Sequence, residues 1–306
     1  MSPEKLPSYG GQALIEGVLM RGSRFVAAAM RSPEGKIIVQ VEPLQGIYRS
    51  GIRKIPFLRG LIVLWDALVL GTHFLTISAN LQSGEDEKIE GPALYGTLAV
   101  SLLLGLGIFV FIPTALGSGI ETWFGLNLAV VNILEGIIRL VIALGYIYLI
   151  GRMPEISRVF AYHGAEHKTI NAYEAGAVLS PQSIKAYSLE HPRCGTGFLL
   201  TVVVFTIILF SPLRVLDFWL RVPLQLLLVP VIACLAYEYM RWTANHLNLT
   251  WVRWLVWPNL ALQHLTTREP TIEMLEVALT SFNAMLSAEQ EIAQGTEIKR
   301  LEPAEI

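Results

Sequence analysis

Ala93-Leu-Tyr-Gly-Thr-Leu-Ala-Val-Ser-Leu-Leu-Leu-Gly-Leu-Gly-Ile-Phe-Val-Phe-Ile-Pro-Thr-Ala-Leu-Gly117 contains no Asp, Glu, Lys or Arg. A helix needs about 20 apolar residues to cross a bilayer, so this stretch is expected to span. Leu126 to Ile150 is as long and carries only Glu135 and Arg139. Gly197 to Leu213 makes a third span. Val222 to Met240 makes a fourth, with Pro223 near its start and Pro230 placed to kink it. Glu135 and Arg139 stand four apart and can pair, which lowers the cost of burying either charge.

Composition points the same way. Of the 306 residues, 53% are hydrophobic and 16% charged, against roughly 45–50% and 25% in soluble domains. The expected fold is mainly α: a polytopic α-helical membrane protein with about four transmembrane helices, additional interfacial or re-entrant helices, and a small cytosolic region containing a β-hairpin. The net charge of −2 says nothing about anionic partners, and no nucleic acid is expected. Cys194 and Cys234 make no disulfide framework, and Cys234 reads as a small buried hydrophobe. The first eleven residues lack the apolar core of a signal peptide, so insertion is expected to use internal segments.

Residues 1–60 form a polar, basic region whose early glycines suggest tight turns. Phe25–Arg31 and Lys36–Glu42 flank Ser32-Pro-Glu-Gly35 and predict a β-hairpin. Glu16, a carboxylate among apolar residues, reads as a helix-surface charge or an inward ligand. Residues 57–81 are apolar but interrupted by Arg59, Asp66 and His73; an interfacial or re-entrant helix packed on protein is expected there, with His73 a core histidine. An acidic connector follows at 83–90. Spans 1–2 then occupy 93–150, a cytosolic loop 151–196, and spans 3–4 197–240. Over 241–270, tryptophans at 242, 251, 254 and 257 suit the headgroup layer, with His246 and His264 as polar belt residues. Residues 271–306 hold an amphipathic helix, Ile272 to Ile292, and a tail expected to be disordered.

Orientation follows from the basic residues. Lys and Arg number nine in 1–60, one in 81–92, none in 118–126, five in 151–195, two in 214–221 and five from 241 onward. Four crossings put the N-terminus, the 151–196 loop and the C-terminus in the cytoplasm, leaving the charge-poor loops outside a plasma membrane.

That loop carries the chemistry. His163-Gly-Ala-Glu-His167 places His163, Glu166 and His167 on one helix face. Two imidazoles on adjacent turns can share a divalent ion, and a neighbouring carboxylate can serve as base. The letters match the H-x-x-E-H helix of inverzincins. Further ligand types lie at Glu174, Glu190, His191 and Cys194, and Glu238 waits near the end of the fourth span. The expected cofactor is a divalent metal, zinc first, with manganese and iron also served by such ligands.

Four motifs, in order, resemble the YqhQ-like family of bacterial membrane proteins: Gly10-Gly-Gln-Ala-Leu-Ile-Glu-Gly-Val-Leu-Met-Arg-Gly22, His163-Gly-Ala-Glu-His-Lys168, His191-Pro-Arg-Cys-Gly-Thr196 and Leu265-Thr-Thr-Arg-Glu-Pro270. The likeness runs from about residue 9 to residue 286. The family's function is unassigned; its common label, predicted metal-dependent enzyme, implies that His163, Glu166, His167, His191 and Cys194 are its polar site positions.

Three functions compete. In a membrane-embedded hydrolase, His163 and His167 hold the ion, Glu166 is the base, and Glu190, His191, Cys194 or Glu238 completes the shell. Its substrate is then lipid-linked or a membrane protein. Gly164 and Lys168 argue against a well-supported catalytic helix. In a non-catalytic assembly factor, His163, His167, His191 and Cys194 close a four-ligand zinc shell. A transporter would rest on Glu135, Arg139 and Glu238, without an internal repeat to support it. A homo-oligomer or a larger membrane complex is compatible with either of the first two.

Overall fold

The computed structural model describes residues 9–46, 51, 55–83, 91–293 and 301–305. Among the described residues, four helical segments are long and apolar enough to cross a membrane: Gly91–Phe124, Leu128–Ile150, Gly195–Val215 and Phe218–Asn245. The first comprises α3 (Gly91–Leu106), a π-helical turn at Gly107–Phe111 and α4 (Ile112–Phe124). The second is α5 (Leu128–Ile150). The third is α8 (Gly195–Phe210) with a 3₁₀ turn, and the fourth is α9 (Phe218–Asn245), which absorbs both Pro223 and Pro230. Their outer surfaces are apolar, with Leu102, Leu103 and Leu104 each at least 60% exposed, as lipid-facing residues are.

The helices are tied together by a buried polar network. Arg139 and Arg214 donate to opposite oxygens of Glu135, at 3.0 and 2.7 Å. Thr114 of α4 donates to the same carboxylate at 3.0 Å, and Arg139 reaches Thr206 of α8 at 3.1 Å. The pair predicted from the i,i+4 spacing thus forms, and a second arginine joins it. Gly117 makes room: a Cβ there would lie 2.6 Å from Arg214 Nη2.

The polar N-terminal region is more ordered than its glycines suggest. Strands β1 (Gly10–Leu14), β2 (Gly17–Arg21), β3 (Phe25–Arg31) and β4 (Ile37–Pro43) form an antiparallel meander, and β5 (Leu301–Glu305) pairs with β4. The predicted hairpin is β3–β4. The two strands before it escape the eye because β1 is a short, glycine-rich run and β2 is buried throughout except at Arg21, so neither shows the polar alternation that marks a half-exposed strand. Val18, Met20, Phe25, Ala27 and Ala29 bury one face against α6 (Pro154–Glu174) and α11 (Ile272–Ala293). Leu19, Val26, Ala28 and Met30 bury the other with Phe74 of α2 (Gly71–Gln82). The period of two in strand side chains sorts these residues exactly as the two clusters do.

The 57–81 stretch is helical and packed on protein, as expected: α1 (Leu58–Trp65) lies on α9 and α2 on the sheet, continuous through a π-helical turn at Asp66–Leu70. Other expectations are corrected. His73 is not a core residue; its ring is about half exposed and faces Glu42 at 3.4 Å. Glu16 sits on no helix but at the β1–β2 turn, with φ 51°. The tail expected to be disordered contains β5. The Asp66 side chain and the connector from residue 84 to 90 lie outside the described residues.

Candidate metal centre

α6 begins at Pro154, whose missing N–H is no loss at a helix start. Its middle is polar yet buried: Glu166, His167, Lys168 and Thr169 are each no more than 6% exposed. Buried polar groups require partners, and the partners define the site.

His163 Nδ1 lies 2.9 Å from the Thr266 carbonyl, and His167 Nδ1 hydrogen-bonds the Leu189 carbonyl. A carbonyl only accepts, so both Nδ1 atoms carry the proton and both Nε2 atoms present lone pairs. His163 Nε2 stands 3.2 Å from Cys194 Sγ, and the two imidazole centroids are 4.3 Å apart. One ligand atom each from His163, His167 and Cys194 lie within 4.8 Å of one another. Tetrahedral zinc, with bonds of about 2.0–2.1 Å to nitrogen and 2.3 Å to sulfur, needs ligand atoms spaced on that scale. Locking of the distal ring nitrogen by a carbonyl is the arrangement that orients metal-binding histidines.

Cys194 is the N-cap of α8; its sulfur accepts from the Thr196 amide at 3.4 Å and lies 3.1 Å from the Thr196 hydroxyl. Glu166 is buried on the sheet side, beside Gly11 of β1, where a Cβ would meet its Cγ at 2.8 Å. Burial pushes its pKa up to about 7, with His163 and the Gly11 amide pulling the other way.

The residues that seemed to weaken the helix are its supports. A Cβ on Gly164 would fall 2.2 Å from the Arg268 carbonyl, so only glycine lets the 265–270 loop lie against α6. Lys168 Nζ donates to the carbonyls of Lys185 and Tyr187, both at 2.8 Å, and pairs with Glu269 at 3.0 Å. Asn171 donates to the Ser188 and Glu190 carbonyls. With His167 on Leu189, one face of α6 thus straps the loop running to the third span.

The other sequence candidates sit apart from the three-ligand cluster. The His191 backbone is clasped by Gln263 through two hydrogen bonds, at 2.8 and 3.0 Å. Its Nε2 lies 3.7 Å from Glu174, and its ring centroid is 5.8 Å from that of His167. Burial holds the His191 pKa below the ordinary imidazole value despite that carboxylate. For Glu174, burial pushes upward but His191 and Arg193 outweigh it, holding the carboxyl below its usual range. Glu190 pairs with His264 at 2.7 Å, so His264 is tied to this loop. Glu238 is held by Arg59 of α1 and accepts from the Phe57 amide at 3.1 Å. His246 stacks on Trp242.

Sequence reasoning missed the roles of Thr266 and Gln263, and of Arg158 and Tyr162, which hold Glu16 against α6. The four quoted motifs all meet here: Gly11 and Glu16 from the first, the helix itself, Cys194, and Thr266 with Glu269. No solved structure matches this chain. A family profile described as "Protein of unknown function (DUF1385)" matches residues 55–288. The "Uncharacterized protein YqhQ" of Bacillus subtilis (strain 168) is 36% identical over 305 residues, covering 94% of this chain and 96% of that protein. The chain therefore belongs to the YqhQ-like, DUF1385 family, as its four motifs indicate.

Proposed function

We propose that this protein is a metal-dependent enzyme, a hydrolase acting on a membrane-associated substrate at the cytosolic face of the plasma membrane. The observation carrying this reading is that three ligands converge, not four: His163, His167 and Cys194 share one space while His191 turns toward Glu174. Three protein ligands leave a position open, which is the catalytic pattern; structural zinc sites close the fourth. The donor set, two neutral Nε2 atoms and a sulfur at a helix N-terminus, fits zinc. A divalent cation held there supplies Lewis acidity toward a carbonyl or phosphoryl oxygen. Glu166, one turn from His163 and shielded from water by β1, is the group positioned to take a proton at its carboxylate. The distribution of Lys and Arg supports the cytosolic placement.

Metal analysis of detergent-purified protein tests this. Wild type is expected to carry about one metal per chain, as a mononuclear three-ligand site requires. The His163→Ala/His167→Ala variant loses it and His191→Ala keeps it. A wild type that binds none after reconstitution sinks the metal reading. Loss in His191→Ala equal to loss in the double variant points instead to a closed structural site in a non-catalytic assembly factor.

A further inference from the structure

Beside the His/His/Cys cluster the chain folds a second feature that the proposed reaction does not use. A cavity of about 310 Å³ is lined by Arg193, Tyr237, Met240, Arg241, Ala244 and Asn245. Five of these residues lie on the last turns of α9 at positions i, i+3, i+4, i+7 and i+8 from Tyr237, so they form one stripe. The sixth, Arg193, comes from the loop and immediately precedes Cys194. The pocket therefore joins the end of the fourth span to the segment that delivers the sulfur ligand.

Its chemistry is one-sided. Two arginines, a tyrosine and an asparagine are among the described lining residues, and none of these is acidic. Arg193 is paired with Glu174, and Glu238, already engaged by Arg59, is the carboxylate near Arg241. Counting those neighbours, three arginines face two glutamates, an excess of one positive charge. Guanidinium has donors only and suits a phosphate's fork of oxygens. The depth fits as well: Trp242 adjoins Arg241 in sequence and lies 5.5 Å from Trp251 in a tilted ring pair, while Trp254 and Trp257 are at least 65% exposed. Such a belt marks the headgroup layer. At the lower end of the roughly 300–1,000 Å³ range of small-ligand sites, the volume takes a headgroup and leaves acyl chains outside.

We propose that this pocket binds a phosphate-bearing group at headgroup depth, so that the substrate presented to the neighbouring centre is a phosphate-bearing amphiphile. The binding stands on the pocket itself; only the word substrate rests on the enzymatic reading above. Native mass spectrometry of the full chain, loaded with equal phosphatidylglycerol and phosphate-free diacylglycerol, tests it. Wild type is expected to retain the anionic lipid in about tenfold preference, the scale of one charge-assisted hydrogen bond. Arg241→Glu, an exposed position tolerant of change, abolishes the preference, and Asn245→Ala weakens it. The His163→Ala/His167→Ala variant keeps it, so loss of the metal reading leaves this result standing. Displacement of the lipid by millimolar inorganic phosphate in an Arg241-dependent way identifies free phosphate as an adequate source; no displacement identifies the lipid. Equal retention of both lipids, or an unchanged preference in Arg241→Glu, overturns the proposal.

Discussion

Replacing Gly164 by alanine sets two opposing effects against each other in one methyl group. Alanine in a helix interior gains about 0.5–1 kcal/mol over glycine. At this position the new Cβ lies 2.2 Å from the Arg268 carbonyl oxygen and 2.8 Å from Leu189 Cδ2. Carbon-to-oxygen contacts close at about 3.3–3.6 Å, so the loop backbone must retreat by roughly 1 Å. Overpacking of this kind costs about 1–3 kcal/mol, which leaves a net loss of up to about 2.5 kcal/mol. The retreat also pulls on Thr266, whose carbonyl fixes the His163 ring; loss of such a partner lowers metal affinity about 10–100-fold. Gly145 in α5 is the control, because nothing lies within 4 Å of a Cβ there. Thermal unfolding by tryptophan fluorescence, with chelator competition for the proposed metal, reads both effects. Gly164→Ala falls by several degrees while Gly145→Ala is unchanged or rises. If the two substitutions shift Tm in the same upward direction and both keep the metal, the close-approach argument is wrong.

Glu135→Gln leaves Arg139 and Arg214 buried between helices without their shared anion, and loss of about 3–5 kcal/mol is expected; unfolding in graded denaturing detergent at wild-type resistance would contradict this. Lys168→Met strips the donor from two loop carbonyls and is expected to cost about 1–3 kcal/mol, with faster proteolysis in the 181–190 segment as the visible sign. Glu16 is held below its ordinary value, near 4.5, first by the hydrogen bond from Arg158. A depressed folded pKa stabilises above the unfolded value and the gain disappears as pH falls through the folded one. Wild type therefore loses Tm relative to Glu16→Gln as pH drops below about 4.5, and a difference constant with pH would refute the assignment.

How much could be read in advance differs by element. The four spans were legible because Ala93–Gly117 and its counterparts declare themselves residue by residue: transfer to lipid depends on each side chain and on the backbone's need to satisfy itself as a helix. The β3–β4 hairpin was legible from its turn, where Gly35 adopts φ 87°. β1 and β2 were not, since β1 is short and glycine-rich while β2 is buried on both faces, so neither alternates. Among candidate ligands, His163, Glu166 and His167 shared a face by helical spacing alone. Cys194, Glu190, His191 and Glu238 could not be ranked, because each reaches or misses the cluster through contacts distant in sequence. Glu238 illustrates this: its partner is Arg59, 179 residues away.

By itself, then, the order of amino acids determined membrane embedding, the helical face of His-x-x-Glu-His and the family, all properties set by local composition and short-range spacing. Only the tertiary structure decided that Cys194 is the third member of the cluster, that Gly164 and Lys168 brace the helix instead of weakening it, and that the glycine-rich N-terminus closes over Glu166. Those outcomes depend on which carbonyl meets which ring nitrogen across some 20 to 100 residues. Such a meeting is specified by the packing of sheet, α6 and the 265–270 loop together, and no window along the chain contains it.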